Sequence, residues 1–459
     1  MTVGTEAATQ PEPDRYPQLW PAGFRRGRSC GVLKVSGVRV TDIADEYGTP
    51  AFVLDEDDFR ARAREFKESF DAAFADLCGG VDVYYASKAF LSVAIARWVT
   101  QEGLRLDVAT GGELAVALKA EVPGANIGLH GNNKSRAELE RAIDAGVGRI
   151  VIDSHGEIER IAAFARDRGV TVPVMVRVTP GIAASTHEFV ATAHEDQKFG
   201  LSIASGAAAA AIETIIARPE LRLLGLHSHI GSQIFDLAGF EVATRRVLGL
   251  HASVAARWGI AMPELDLGGG FGVSYVPGDD PLPIAELATG LAEAVAKECA
   301  DLGVEVPRIS IEPGRAIVGP AMFTLYEVGT VKPVQTDEGI VRTYISVDGG
   351  MSDNIRPALY DAQYSVALAS RRSTAQLVPV RVVGKHCETG DVVVHNAHLP
   401  ADVAPGDLLA VPVTGAYGWA MASNYNYVPR PPVLAVRDGE VRVLIRRETE
   451  ADLFALDQG

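Results

Sequence analysis

From about residue 81 onward the chain repeats one unit: a short apolar run, a polar or glycine-bearing loop, then a stretch with helical spacing. Apolar and β-branched runs predict strands at Val81–Ala86, Arg105–Ala109, Asn126–Leu129, Arg149–Asp153, Val172–Val178, Leu223–His229, Glu264–Leu267 and Arg308–Ile311. Helical periodicity falls between them at Ser92–Gln101, Gly112–Lys119, Ser135–Ala145, Glu157–Arg168 and Ile284–Asp301. A longer helix begins at Asp57, with Phe59, Ala63, Phe66, Phe70 and Phe74 on one face. Eight strands separated by helices over roughly 230 residues is the count and length of a (β/α)8 TIM barrel, although the spacing alone also allows a doubly wound sheet. The polar residues favour the barrel. Lys88, Asp107, His130, Asp153, Arg177, His229, the run Gly268–Gly270 and Glu312 each stand at or just after the end of a successive strand. That is where a barrel gathers its chemistry.

After Gly319 the pattern changes to strands joined by Gly, Pro, Asp and Asn turns: Phe323–Lys332, Val341–Val347, Gln376–Val383, Asp391–His395, Asp407–Val413, Pro432–Arg437 and Glu440–Ile445. The reading is a barrel over 55–318 and a C-terminal β-rich barrel or sandwich domain over 319–459. The strands within 26–54 join the β domain, and 1–25, rich in Pro, Thr and Glu, form a flexible arm.

Composition excludes several function classes. A net charge of −16, with no Lys/Arg block, argues against nucleic acid or an anionic membrane as partner. The N-terminus lacks the apolar core of a secretory signal, and no run approaches the roughly 18 apolar residues that cross a bilayer. Four cysteines, widely spaced and without a CxxC pair, suggest neither a disulfide framework nor a metal site, and a cytoplasmic protein is expected.

The stretch VDVYYASKAF ends a core-type strand at Lys88. An ammonium without a partner is costly to bury, whereas a desolvated lysine amine is a nucleophile suited to a carbonyl compound. The bland alternative is a lysine whose tip reaches water. DLGGGFG (Asp266–Gly272) follows the seventh strand and EPGR (Glu312–Arg315) the eighth, the two loops that commonly bind phosphate in such barrels. Glu312 could pair with Arg177 or Arg315, or hold a proton on a ring nitrogen; His229 could lie against a flat cofactor. Amine, phosphate loop, ring-facing histidine and acid together specify pyridoxal phosphate.

YYASKAF, HSHIGSQIF, DLGGGFG, EPGR, CETGD (Cys387–Asp391) and GAYGWAMASNYN (Gly415–Asn426), in that order, resemble the fold-type III pyridoxal-phosphate decarboxylases over about residues 30 to 450. The resemblance implies that Lys88 is the Schiff-base lysine, His229 the ring-stacking histidine and Glu312 the ring-nitrogen partner. Ser232, Gly270, Gly314, Arg315 and Tyr417 match phosphate-binding positions, and Asp107 and Arg177 match residues that orient lysine and ring. Cys387 matches a proton donor supplied by the partner subunit of a head-to-tail homodimer, and Glu388 beside it a group that reads the substrate's far amine. Arg315, Arg356 and Tyr360, with Tyr417, match residues around the far end of the substrate. CETGD replaces the usual CESGD and YASKAF the usual YAxKAN; neither removes a charged or reactive group.

A diamine-forming decarboxylase need recognise only a distal ammonium. NIRPALY (Asn354–Tyr360) adds an arginine and a tyrosine suited to a carboxylate. A substrate with amine and carboxylate at both ends fits this set, and the resemblance implies meso-2,6-diaminopimelate, decarboxylated at its D-centre to L-lysine. An ornithine-, arginine- or carboxynorspermidine-type enzyme is the alternative on this scaffold, and a non-catalytic pyridoxal-phosphate-binding protein the alternative outside catalysis. An alanine racemase fits less well, because that chemistry needs a tyrosine as second base and a shorter chain.

Overall fold

The computed structural model describes residues 10–181, 198–335, 339 and 341–459. The chain divides into two compact units, Arg60–Gly272 with Asp280–Ala316, and Met1–Phe59 with Val273–Asp279 and Ile317–Gly459.

In the first unit, among the described residues, eight parallel strands pair in chain order: Val81–Ala86, Arg105–Val108, Ile127–Leu129, Arg149–Ile152, Val172–Thr179, Leu221–His227, Glu264–Asp266 and Arg308–Ile311. The eighth returns to the first, with Ile309 opposite Val81 and Ile311 opposite Val83, so the sheet is a closed (β/α)8 barrel. The intervening helices start where side chains can accept the first free N–H groups: Ser92 caps Val93–Gln101, Thr110 caps Gly111–Lys119, and Ser135 with Glu138 forms a capping box on Arg136–Asp144. They stop at left-handed glycines after His155–Arg168, Ala238–Trp258 and Ile284–Leu302. Along the helix Glu56–Cys78 the expected phenylalanine face is buried; within this unit Phe66 and Phe70 pack on Phe271, which Phe240 also stacks against. Phe271 belongs to DLGGGFG, so that loop is anchored by an aromatic cluster.

The second unit is β-rich. Ala51–Asp55 pairs antiparallel with Met322–Gln335 and parallel with Val433–Arg437, so the N-terminal part of the chain joins the sheet built by the C-terminal part. A three-stranded sheet, Phe24–Arg26, Leu33–Val35 and Val38–Arg39, adds Phe24, Leu33 and Val35 to a core with Phe323, Leu325 and Leu434.

Two boundaries differ from the sequence reading. The expected loose arm does not hold over 10–25, while 1–9 lie outside the described residues. Trp20 is buried, stacks on Phe24 at 4.6 Å and donates its indole N–H to the Pro11 carbonyl at 2.6 Å. Burial of Leu19, Trp20 and Phe24, with the indole hydrogen bond, offsets part of the entropy of ordering the segment. Val273–Asp279, expected in the barrel, belongs to the β unit, because the Tyr275 carbonyl accepts from Ser365 Oγ at 3.0 Å and its ring meets Tyr364 edge-on at 5.2 Å. Among the described residues no helix is long and apolar enough to cross a membrane.

Candidate active site

The first barrel strand ends at Ala86, and Lys88 stands two residues on, in the 3-10 turn Ser87–Ala89. The lysine is therefore not buried in the strand's core but exposed, on the wall of a cavity of about 250 Å3 that Asp107, His130, Arg177, His229 and Glu312 also line. The turn is fixed from both sides. Tyr85 donates its hydroxyl to the Phe90 carbonyl at 2.7 Å, and a Cβ at Gly314 would come within 2.8 Å of the Ala86 carbonyl oxygen and 3.1 Å of Ala89 Cβ. Gly314 of EPGR thus serves close packing beside the lysine turn.

Glu312 lies one residue past the eighth strand, buried among imidazoles. Its Oε1 is 3.0 Å from His227 Nε2 and 3.2 Å from His130 Nε2, and His130 Nε2 is 3.0 Å from Asp107 Oδ1. Burial raises the Asp107 carboxyl to about 7 against the pull of Arg149. Burial and Asp107 would raise Glu312 as well, but His227 and His130 bring it below its ordinary value, so Glu312 is the ionised member of the pair. Burial lowers His130 to about 3, leaving it neutral.

The sixth strand ends at His227, so His229 sits on the loop rather than at the strand end. Its Nδ1 accepts from the Gly269 N–H at 3.2 Å, and burial with nearby Lys88 holds it well below its usual value, hence neutral. Gly268 and Gly270 have positive φ (73° and 104°), and a Cβ at either would strike backbone, at Ser228 and Gly231 respectively. A Cβ at Gly269 would strike the Glu312 carbonyl. Arg315 Nη2 donates to Ser232 Oγ at 2.8 Å, bringing two of the expected phosphate residues together. Arg177 lies 3.9 Å from Asp153 Oδ1 with its guanidinium over the Phe199 ring at 4.6 Å.

The remaining expected residues are in the β unit. Arg356 is buried, not a surface ion pair: Nη1 donates to Tyr364 Oη at 2.5 Å and the guanidinium lies over Tyr275 at 4.9 Å. Tyr360 ends the same short helix, Arg356–Tyr360. Cys387 and Glu388 are exposed, not buried hydrophobic filler, on a loop whose flanks are clamped. Asp391 accepts from the N–H groups of His386 and Met351 at 2.8 and 2.7 Å, and the His386 ring lies between Ser352 Oγ (2.9 Å) and Asn426 Oδ1 (3.1 Å). Tyr417 has φ 62°, an uncommon backbone for a bulky residue and costly enough to mark a constrained site.

These groups fit pyridoxal phosphate. A primary amine, an ionised carboxylate and a neutral imidazole face one cavity, and the imidazole is hydrogen-bonded to the glycine turn. The buried hydroxyls of Ser87, on the cavity lining, and of Ser228, beside His229, have no hydrogen-bond partner among the described residues. Sequence reasoning missed His227 and Arg149. His227 shares the HSH motif with His229, and Arg149 opens a strand, where it reads as a surface flank.

The family model described as "Pyridoxal-dependent decarboxylase, pyridoxal binding domain" matches residues 56–319. The diaminopimelate decarboxylase of Mycobacterium tuberculosis (strain ATCC 25618 / H37Rv) is 54% identical over 445 residues, 96% of this chain and 98% of that protein. That of Bacillus subtilis (strain 168) is 43% identical over 435 residues, 95% and 97%. The crystal structure of diaminopimelate decarboxylase from M. jannaschii in complex with L-lysine superposes with a TM-score of 0.88 at 31% identity, covering 96% of this chain and 98% of that one.

Proposed function

Because this chain belongs to the pyridoxal-dependent decarboxylase family, and within it to the diaminopimelate decarboxylases, we propose that it removes CO2 from the D-centre of meso-2,6-diaminopimelate, yielding L-lysine. The observation that carries the reading is the convergence of Lys88, His229 and Glu312 on one cavity at the C-terminal mouth of a closed barrel.

Bound there, pyridoxal phosphate supplies the electron sink that makes the Cα–carboxylate bond breakable. Lys88 would hold the cofactor through its primary amine. Glu312, ionised, keeps a proton on the ring nitrogen, and neutral His229 supports the ring's face. Ser232, Gly270, Gly314 and Arg315 would hold the phosphate, while Asp107 and Arg177 would orient amine and ring. Arg356, preset by Tyr364, would take the far carboxylate with Tyr360, and Glu388 would take the far amine. Cys387 Sγ delivers the proton to Cα after CO2 leaves. Cys387 and Glu388 act in the partner's site of a homodimer; their exposure on a clamped loop supports this. The four cysteines, all free, suit a cytoplasmic enzyme.

Measuring CO2 release from meso-diaminopimelate, ornithine and arginine side by side tests the proposal. Diaminopimelate should turn over fastest. Faster release from ornithine or arginine overturns the substrate assignment, and no release from any of them points to a pyridoxal-phosphate-binding protein without this activity.

A further inference from the structure

The interior of a (β/α)8 barrel is ordinarily filled by layers of branched apolar side chains. Here it contains a guanidinium. Arg149, at the start of the fourth strand, has a side chain 1% exposed. Nη1 donates to Ser310 Oγ on the eighth strand at 2.9 Å, Nη2 pairs with Asp266 on the seventh, and the guanidinium carbon lies 3.7 Å from the centre of the Tyr84 ring on the first. The third strand makes room for it: a Cβ at Gly128 would meet Asp107 Oδ1 at 2.9 Å and Arg149 Nε at 3.3 Å. Four strands thus cooperate to seat one cation.

Stability alone is a poor reason for such a group, since buried ion pairs are often replaceable by apolar side chains at no loss. Its reach toward the barrel mouth gives a better one. Arg149 Nη2 is 3.8 Å from Glu312 Oε1 and 4.0 Å from Asp107 Oδ1. Around Glu312 stand His130, His227, Asp107 and Arg149, and of these four the guanidinium is the one whose positive charge does not depend on pH.

We propose that Arg149 is a positioning residue for Glu312, a fixed cation within the barrel that keeps this carboxylate ionised so that the proton it shares with a cofactor ring stays on the ring nitrogen. The inference rests on Glu312 being the ring-nitrogen partner. Removing a positive charge about 4 Å away raises a carboxylate's proton affinity tenfold or more. The proton then moves from nitrogen to Glu312, and the ring loses its pull on electrons.

The test uses holoenzyme loaded with cofactor labelled with 15N at the ring nitrogen, in the variants Arg149→Lys, Arg149→Met, Arg149→Met/Asp266→Asn and Glu312→Gln. The double variant removes both interior charges, so it can fold where the single Met variant cannot. Folding is checked by circular dichroism and thermal midpoint. In the folded charge-neutral variant the 15N resonance should move toward neutral pyridine, and kcat should fall about tenfold or more. Arg149→Lys should keep the protonated resonance. A protonated resonance and unchanged kcat in the folded double variant, with Glu312→Gln neutralising the nitrogen, overturn the role of Arg149 alone. A protonated resonance in Glu312→Gln as well overturns the assignment of Glu312.

Discussion

Replacing Lys134 by Met should loosen one side of the barrel mouth. Lys134 and Glu157 side chains are 1% and 0% exposed. The ammonium donates to the Gly131 and Val151 carbonyls at 2.7 and 2.6 Å and to both Glu157 oxygens at 3.1 and 3.2 Å. Burial lowers the lysine's proton affinity and Glu157 opposes that. Glu157 Oε2 in turn accepts the Asp153 N–H at 2.8 Å, and Asp153 Oδ1 accepts the Gly200 N–H at 2.8 Å beside Arg177. Removing the lysine leaves an unpaired buried carboxylate, a loss of about 3–5 kcal/mol. Lys134→Met/Glu157→Gln keeps an acceptor for Asp153 without the stranded charge, so it should cost less than the single variant, with coupling of about 2 kcal/mol. Native-state hydrogen exchange reads the opening of this segment amide by amide, so it is the assay. In Lys134→Met, protection at the Asp153 and Gly200 amides should fall about a hundredfold, the equivalent of roughly 3 kcal/mol, and should largely return in the double variant. Unchanged protection in Lys134→Met, or a double variant as damaged as the sum of the singles, would refute the argument.

Trp20→Ala should lower the thermal midpoint by the equivalent of about 3–5 kcal/mol and open residues 10–25 to protease, because the indole's stacking and hydrogen bond go together; an unchanged midpoint would show that the segment contributes nothing. Ser232→Ala removes one acceptor of the Arg315 guanidinium and should weaken cofactor binding about tenfold, read as the dissociation constant of pyridoxal phosphate from apoenzyme titration; an unaltered constant removes Ser232 from the phosphate site. Burial raises Asp353 to about 7, with the Tyr326 hydroxyl and the Gly350 N–H pulling the other way. The folded chain therefore keeps a proton that the unfolded chain releases above about pH 4, so this group's contribution is complete below that and is lost as pH rises to about 7. Compared with Asp353→Asn, the wild-type thermal midpoint should fall progressively between pH 4 and 8, by up to the equivalent of about 4 kcal/mol; a constant difference across that range would contradict the raised value.

Most of the barrel was legible because its strand-end residues differ in kind from the apolar runs they follow. Lys88, Asp107, Glu312 and the glycine run needed only a strand count to be placed on one face. His227 and Arg149 were not legible for different reasons. His227 and His229 differ by one strand period, so the alternation that placed one at the mouth could not tell which ended the strand. Arg149 acquires its meaning only when the sheet closes and brings Ser310, Asp266 and Tyr84 around it, contacts 161, 117 and 65 residues away in the chain. The arm was misread because its average polarity concealed Leu19, Trp20 and Phe24, three apolar anchors in six residues that a search for large buried side chains would have found. Desolvation was the wrong argument for Lys88. Its place is set by a turn packed against Gly314, and its chemistry by the groups across the cavity.

The replacement of Asn by Phe in YASKAF shows why motif residues divide into those that touch chemistry and those that hold it. Phe90 is fully buried, and its carbonyl anchors the Tyr85 hydroxyl, so the change alters packing behind the lysine turn and leaves the cavity wall alone. The glycines divide less cleanly. Gly268, Gly269 and Gly270 are each pressed against backbone of the neighbouring strand ends, at Ser228, Glu312 and Gly231. Any side chain there displaces the loops that carry His229 and Glu312 before it reaches a phosphate. Loss of activity in an alanine variant of this run therefore cannot by itself identify an anion site, whereas Ser232, whose hydroxyl meets Arg315 and whose removal leaves no steric conflict, can.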